Sequence, residues 1–288
     1  MEIYSIVVFG GGTVINEPGF LKKIKSALDS GHKVFILGAG VRNPIFWDKV
    51  KGDNNYLSEW IDCLKSCSFV GVRGPISKKI LAINGYNGAL ITGDPVLYFA
   101  RDNIKRKLKN KVIGINIGIS NGLVWGSEKE ILDKIVKLSQ ILIKKGWKLK
   151  FLPVWNRDIP YIQEAIKNIG RKIEVFSEWH SLDKTFNFLE DCDLFIGEKL
   201  HSVVLATCVY TPSIMLEYRP KCLDFMMSMN LEKFNIRTDK LNIDLILDLL
   251  YELYQNAESY QKNIFNKAHF YRKMQIERSN DITKEIFR

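Results

Sequence analysis

Residues 3–13, Ile-Tyr-Ser-Ile-Val-Val-Phe-Gly-Gly-Gly-Thr, decide the fold class of this chain. An apolar run of strand length ends there directly in a glycine turn. Apolar residues then recur at helical spacing across Phe20–Ser30. The next run, Lys33–Leu37, is again strand-like and again ends in glycines, Gly38-Ala39-Gly40. This succession predicts a βαβ unit, in which the two strands are parallel.

The same alternation continues along most of the chain. Predicted strands are Ile3–Phe9, Lys33–Leu37, Phe69–Val72, Ala89–Thr92, Lys111–Ile117, Lys148–Val154, Lys172–Phe176, Asp193–Ile196 and Ser213–Leu216. Predicted helices between or after them are Phe20–Ser30, Tyr56–Cys67, a segment from Pro75 to Gly85, a capped helix from Ser127 to Lys145, Ile159–Ile169, Leu182–Glu190, Leu200–Cys208 and Lys221–Met229. From Ile243 onward the pattern is helical.

A basic stretch without clear periodicity, Arg101–Lys111, interrupts the alternation. We therefore predict an α/β protein with two Rossmann-like halves that face a cleft. The N-terminal half is residues 1–105, and the C-terminal half, which we expect to carry the main ligand site, is residues 106–240. Residues 241–288 form C-terminal helices that pack back on the body.

Composition excludes several classes. Of 288 residues, 46% are hydrophobic and 26% charged, which is typical of globular proteins and not of disordered chains. Apolar runs are too short for a membrane helix, and no signal peptide is evident, so we expect a cytoplasmic protein with at most peripheral membrane contact. Of its five cysteines, Cys192, Cys208 and Cys222 lie in apolar segments and are expected to be reduced. The net charge, 42 − 32 = +10, suits anionic ligands or is simply a solvated surface.

In parallel α/β sheets, ligands bind at the carboxyl ends of the strands. Gly11 and Gly12 follow the first strand, where backbone amides can approach an anion or sugar, unless they only form a tight turn. Arg73 ends a strand, and Ser77 lies in the first turn of the next helix. A guanidinium beside a helix N-terminus favours a carboxylate or phosphate, although a lone surface arginine is the alternative.

Two later strand ends carry further cations. Lys199 and His201 follow the strand Asp193–Ile196, and Arg219 and Lys221 follow Ser213–Leu216. His201 is the histidine placed for acid–base chemistry, although a structural histidine fits the same position. No metal-ligand spacing accompanies these residues, so we predict a cationic site without a metal or cofactor. A small, multiply charged anion would suit it.

The ordered set of motifs resembles the polysaccharide pyruvyltransferase family. The matching segments are Gly10–Thr13, Gly38–Gly40, Val72–Ser77, Gly93–Pro95, Lys199–Ser202 and Tyr218–Lys221. Lys199 is a departure, because the family usually has an arginine there, and lysine lacks the bidentate geometry of arginine.

This resemblance implies a fold of the GT-B type and phosphoenolpyruvate as the donor substrate. It also implies a pyruvate ketal on a sugar of a cell-surface polysaccharide as product, and it leaves open whether the saccharide acceptor is lipid-linked. His201 is then the expected acid or proton shuttle, Arg73 and Lys199 are anion clamps, and Asp94 is a candidate base whose alternative is a turn residue.

Two other functions fit the same sequence. One is a nucleotide-sugar-dependent GT-B glycosyltransferase, in which Glu198 and Glu217 would hold a ribose. The other is a non-enzymatic protein that binds sugar or nucleic acid. No basic helix with interleaved aromatic residues is found, so we expect no nucleic-acid partner.

Overall fold

The computed structural model describes residues 6–51, 55–104 and 110–286, which form two compact units. Unit 1 is Met1–Tyr98, Leu223–Asn230 and Phe270–Arg288, and unit 2 is Phe99–Cys222 and Leu231–His269. The domain boundary predicted at residue 105 lies outside the described residues. A common cleft stays a prediction.

Unit 1 is built around a parallel sheet. Its elements are β1 (Ile6–Gly10), β2 (Thr13–Ile15), α1 (Pro18–Asp29), β3 (Lys33–Val41), α2 (Pro44–Lys51), α3 (Leu57–Lys65), β4 (Phe69–Val72), α4 (Pro75–Ile83) and β5 (Leu90–Ile91). The strand order is β1-β3-β4-β5, with β2 also paired to β3, and every pairing is parallel. The predicted alternation of strands and helices is confirmed here.

The helices of unit 1 cover the sheet with apolar faces. Leu21 and Ile24 of α1 are buried, as are Trp60 of α3 and the strand residues Val34 and Ile36. Burial of such side chains contributes about 1.5–3 kcal/mol each. The helical spacing seen in the sequence therefore marks the faces that hold this unit together.

Unit 2 contains a second parallel sheet. Its elements are β6 (Val112–Asn116), α5 (Glu128–Lys144), β7 (Lys148–Phe151), α6 (Asp158–Ile169), β8 (Glu174–Val175), α7 (Leu182–Glu190), β9 (Leu194–Gly197), α8 (Leu200–Cys208), β10 (Ser213–Glu217), α9 (Pro220–Ser228), most of which belongs to unit 1, β11 (Asn235–Arg237), α10 (Ile243–Gln255) and α11 (Ala257–Ile286). The strand order is β11-β10-β9-β6-β7-β8, with parallel pairing throughout.

Local sequence explains where these helices begin. Ser127 accepts a hydrogen bond from the backbone N–H of Glu130 at 3.2 Å, which confirms the predicted cap of α5. Asn242 caps α10 in the same way, through the N–H of Leu245 at 3.0 Å. Strands β6, β9 and β10 are buried along their whole length, as expected for the centre of a parallel sheet.

Among the described strands and α-helices, β2, α2 and β11 were not predicted. Strands β2 and β11 have only three residues each, too few for a recognisable alternation. Strand β3 is also longer than predicted, because it continues through Gly38-Ala39-Gly40 to Val41 and pairs there with β2. Pairing with β2 therefore stabilises the second half of β3, because its glycines do not themselves favour a strand.

The chain ends in a helical extension, as predicted. Helix α11 contributes its residues up to His269 to unit 2 and those from Phe270 to unit 1. Within the part of the chain that the structure describes, no helix has both the length and the apolar character needed to cross a membrane.

Candidate functional site

Three of the predicted residues of unit 1, Gly12, Arg73 and Asp94, contact one another at the carboxyl ends of its strands. Arg73 and Asp94 are each 1% exposed, and the Nε atom of Arg73 lies 2.8 Å from Oδ2 of Asp94. Nη2 of Arg73 also donates to the carbonyl oxygen of Gly12 at 2.9 Å. The candidate base and the candidate anion clamp thus form an internal ion pair, and their roles toward a substrate stay predictions.

The glycines of these motifs allow the loops to approach closely. Gly11 and Gly12 have φ values of +64° and +67°, in the left-handed region that favours glycine. A Cβ atom on Gly38 would lie 2.6 Å from Cδ of Pro95, and one on Gly40 would lie 3.1 Å from Nη1 of Arg73. The amide of Gly11 donates to the carbonyl of Leu37 at 3.0 Å, so this amide already has a partner.

Helix α4 does have an anion at its N-terminus, but the anion belongs to the protein. Oδ1 of Asp224 accepts hydrogen bonds from the N–H groups of Ile76 at 2.8 Å and Ser77 at 3.1 Å. Its Oδ2 accepts the Ser77 hydroxyl at 2.6 Å, and that hydroxyl also accepts from the N–H of Val41 at 2.9 Å. Burial raises the pKa of Asp224, while the bonds from Ser77 and the charge of Arg73 lower it.

Asp224 therefore occupies the position that the sequence assigned to a donor anion. A Cβ atom on Gly74 would lie only 2.1 Å from the Asp224 carbonyl oxygen, so the contact is close. The carboxylate comes from α9, about 150 residues further along the chain. Donor binding by Ser77 stays a prediction; the structure shows the residue in internal hydrogen bonds.

The predicted cations of unit 2 surround one aromatic ring. Tyr218 follows β10 and is 5% exposed. The Nζ atoms of Lys199 and Lys221 each lie 5.0 Å from the centre of its ring, and Cζ of Arg219 lies 5.1 Å from it. Cations over an aromatic face are attracted by its quadrupole. Three cations from two strand ends are thus held around the same ring.

Neighbouring backbone groups orient two of these cations. Nζ of Lys199 donates to the carbonyl of Ile119 at 2.7 Å and to the hydroxyl of Ser120. Nε of Arg219 donates to the carbonyl of Leu123 at 2.7 Å. The loop after β6 therefore fixes both side chains. Arg219 and Lys221 are partly exposed, whereas Lys199 is 8% exposed.

Lys199 lies near two buried carboxyl groups, Glu198 and Asp158, of which only Glu198 was considered from the sequence, as a ribose ligand. Glu198 is fully buried, its Oε2 accepts the N–H of Gly118 at 3.0 Å, and its Oε1 has no hydrogen-bond partner among the described residues. Burial raises the pKa of Glu198 to about 7, against the lowering effect of Lys199. Burial also raises the pKa of Asp158 and lowers that of Lys199, and each charge opposes the shift of the other.

Gly118 separates Asp158 from Lys199. A Cβ atom on this glycine would lie 2.1 Å from Oδ1 of Asp158 and 2.6 Å from Cε of Lys199. The two side chains therefore contact the same face of Gly118. No local sequence pattern predicts this contact, because Asp158 is the first residue of α6 and Lys199 lies in the loop after β9.

His201 lies in the first turn of α8, two residues after Lys199. Of the nine residues of this helix, His201 alone is exposed. Lys199 is the N-cap, and its side chain makes no capping hydrogen bond. The positive end of the α8 dipole and an exposed histidine therefore lie next to Lys199 in the chain.

The glutamates that a ribose would need are held internally. Glu217 accepts hydrogen bonds from Nε1 of Trp125 at 3.2 Å and from Nδ2 of Asn235 at 2.6 Å, and it is 3% exposed. Glu198 is bonded to Gly118, as described above. Across the described residues, no group of three or more His, Cys, Asp or Glu side chains could hold a metal ion.

The fold is of the GT-B type, and the solved structures that resemble it have this fold. The Staphylococcus aureus MnaA–UDP structure is 13% identical, with a TM-score of 0.54 over 90% of this chain and 68% of that one. A putative UDP-N-acetylglucosamine 2-epimerase from Listeria monocytogenes is 12% identical, with a TM-score of 0.57 over 90% and 68%.

The pneumococcal O-GlcNAc transferase GtfA, in complex with UDP and GlcNAc, is 10% identical, with a TM-score of 0.59 over 99% of this chain and 58% of that one. At such low identity these likenesses concern the fold alone. No curated protein matches the sequence.

The sequence itself defines the family. Residues 2–220 match the family model for polysaccharide pyruvyl transferase. The protein belongs to this family, as the motifs predicted, and is a transferase.

Proposed function

We propose that the protein transfers pyruvate from phosphoenolpyruvate to two hydroxyl groups of a saccharide, as a ketal, in polysaccharide biosynthesis. The observation that carries this proposal is the placement of Lys199, Arg219 and Lys221 around the ring of Tyr218. Phosphoenolpyruvate has a carboxylate and a phosphate on three carbons. Such an ion requires several cations close together, and charge-assisted hydrogen bonds to it are strong.

The three cations differ in how they can act on this donor. Arg219 and Lys221 are partly exposed and can meet the phosphate and carboxylate directly. Lys199 keeps a positive charge next to them, and the α8 N-terminus beside it also favours an anion. A bound trianion would in turn favour the charged form of Lys199, whose pKa burial lowers.

The chemistry then needs one proton donor and one proton acceptor. The methylene carbon of phosphoenolpyruvate takes a proton and becomes a methyl group, which makes the central carbon electrophilic. One sugar hydroxyl adds to that carbon, and the bond to the phosphate oxygen breaks. A second hydroxyl then closes the ketal. The two hydroxyls lose two protons; one balances the methylene protonation and one leaves with phosphate.

His201 is the group we assign to this proton transfer. It is exposed at the start of α8, close in sequence to Lys199, and imidazole titrates near neutral pH. A histidine that gives a proton to the methylene carbon can take one back from a hydroxyl. Asp94, buried against Arg73, is not needed for this sequence of steps.

A nucleotide-sugar-dependent glycosyltransferase is the second candidate, because GT-B folds also bind UDP. The test is to incubate the purified full chain with a mixture of saccharide acceptors and either phosphoenolpyruvate or UDP-sugars. Acceptor-dependent release of inorganic phosphate from phosphoenolpyruvate supports the proposal. Release of UDP, with no phosphate released from phosphoenolpyruvate, refutes it.

A further inference from the structure

The carboxyl edge of the unit 2 sheet changes in character along its length. Strands β9 and β10 lie on one side of the central strand β6, and their ends carry the cations described above. Strands β7 and β8 lie on the other side, and the loops after them carry aromatic side chains. The proposed donor chemistry uses none of these aromatic residues.

The loop after β7 exposes three consecutive residues, Trp155, Asn156 and Arg157. Trp155 is 54% exposed, although tryptophan has the largest side chain of the standard residues. The guanidinium of Arg157 lies 4.8 Å from the centre of the Trp155 indole, as a cation–π pair. A flat apolar ring thus lies beside an amide and a guanidinium at the tip of the loop.

The buried carboxylate of Asp158 fixes the backbone of this loop. Its Oδ2 accepts the N–H of Trp155 at 3.1 Å and that of Val154 at 3.3 Å. The other oxygen of this carboxylate lies against Gly118, the residue that Lys199 also contacts. The Asp158 side chain therefore contacts both the backbone of the loop that exposes Trp155 and the glycine against which Lys199 lies.

A second aromatic pair follows the neighbouring strand. The rings of Trp179 and His180, in the loop after β8, have centroids 3.6 Å apart. The Trp179 carbonyl accepts the hydroxyl of Thr185 at 3.4 Å, which ties this loop to α7. Because β7 and β8 are adjacent in the sheet, the two aromatic loops leave it at neighbouring positions.

We propose that the loops after β7 and β8 form a saccharide-binding surface that receives the acceptor, a proposal that rests on the proposed function. One face of a sugar ring presents C–H groups, and its rim presents hydroxyls. Trp155 offers a large rigid surface for the C–H face, and an indole loses little conformational freedom on binding. Asn156 and Arg157 supply hydrogen-bond donors for the hydroxyls.

Saccharide binding by the full chain can be measured without any donor. Saturation-transfer difference NMR with maltose, lactose and cellobiose reports contact between sugar ring protons and the protein. We expect signals for at least one disaccharide. Trp155→Ala should raise the dissociation constant of that disaccharide about fivefold or more. Trp155→Phe, which keeps an aromatic face, should have a smaller effect.

Trp147 provides a matched control, since it directly precedes β7 at the opposite end of the same strand. Its ring packs edge-on against Tyr254, 5.0 Å away, and Trp147→Phe should leave sugar binding unchanged. Circular dichroism on each variant checks that the fold is kept. Arg157→Ala, also at the exposed tip, should weaken binding in a folded protein.

Three results would overturn this proposal: no disaccharide signal with the native chain, equal affinity in Trp155→Ala, or salt-sensitive binding of a random oligonucleotide in place of sugar. The outcome is independent of phosphoenolpyruvate turnover. Sugar binding lost in Trp155→Ala, together with absent phosphate release by the native chain, would refute the donor and keep the saccharide surface. Phosphate release by the native chain, with sugar binding that Trp155→Ala does not change, would support phosphoenolpyruvate as the donor and refute the saccharide surface.

Discussion

Arg73 and Asp94 form a buried ion pair in unit 1, with Nε and Oδ2 2.8 Å apart and both side chains 1% exposed. Each residue belongs to a different motif, and each follows a different strand. A buried pair that loses one partner leaves an uncompensated charge in the interior. Loss of either partner should therefore lower the free energy of unfolding.

Asp94→Ala should destabilise the protein by about 3–5 kcal/mol, because it strands the Arg73 guanidinium. The measurement is the free energy of unfolding in urea. Asp62→Ala is the matched control in unit 1, since the side chain of Asp62 is 75% exposed and pairs only with Lys65 in the described surface. Equal midpoints for the two variants would show that the buried pair has no structural role.

Lys221→Ala should raise the Michaelis constant for phosphoenolpyruvate about tenfold or more, because one charge-assisted hydrogen bond to the donor is lost. Steady-state phosphate release provides the measurement. Lys145→Ala removes the same charge from the exposed end of α5 and should have no effect. A donor requirement that responds equally to both variants would place the donor elsewhere.

The raised pKa of Glu198 predicts how the stability of the protein depends on pH. Burial raises its pKa from the ordinary 4.5 to about 7, so the folded state holds a proton that the unfolded state releases. The stability that Glu198 contributes is then fully present below about pH 4.5 and is lost as the pH rises to about 7. Lys199, Asp158 and Glu128 are the charged groups that act on it.

Glu198→Gln cannot titrate, so its unfolding free energy relative to the native chain should increase between those two pH values, by about 3 kcal/mol at most, and then level off. Thermal unfolding from pH 4 to pH 8 measures this difference. Glu174→Gln, on the exposed edge strand β8, is the control. Parallel curves for Glu198→Gln and the native chain would refute the raised pKa.

His201→Asn should lower turnover by about 10²–10⁴-fold, the usual contribution of a placed acid or base. Asparagine keeps a hydrogen-bond donor and similar size but cannot titrate. Because the side chain is exposed, thermal unfolding should be unchanged. A weaker donor affinity with normal turnover at saturation would make His201 a binding group, and full activity would remove it from the reaction.

Much of the fold could be predicted because its helices and strands have local signals. Leu182–Glu190 and Leu200–Cys208 agree with α7 and α8, and Phe69–Val72 agrees with β4. Helix α2 had a signal that was missed, since Asn43 precedes Pro44 and its side chain accepts the N–H of Ile45 at 3.0 Å. Strand β11 had none, because three residues at a sheet edge depend on their neighbour.

The candidate site was predictable only in part. The cations Lys199, Arg219 and Lys221 could be found because carboxyl ends of parallel strands meet at one edge. Their common contact with Tyr218 could not, since it depends on side-chain directions. The contact of Asp224 with the N-terminus of α4 could not be predicted either, because the two lie too far apart in the sequence for a local pattern to relate them.

The most direct test is to run the reaction in deuterium oxide with a chelator present and analyse the acceptor by mass spectrometry and NMR. We predict a saccharide that gains pyruvate less one water, with one deuteron in the new methyl group, because the methylene carbon takes its proton from solvent-exchangeable groups. Transfer of a hexose from a UDP-sugar, an enolpyruvyl ether that keeps its methylene group, or recovery of activity only with a divalent ion would contradict this mechanism.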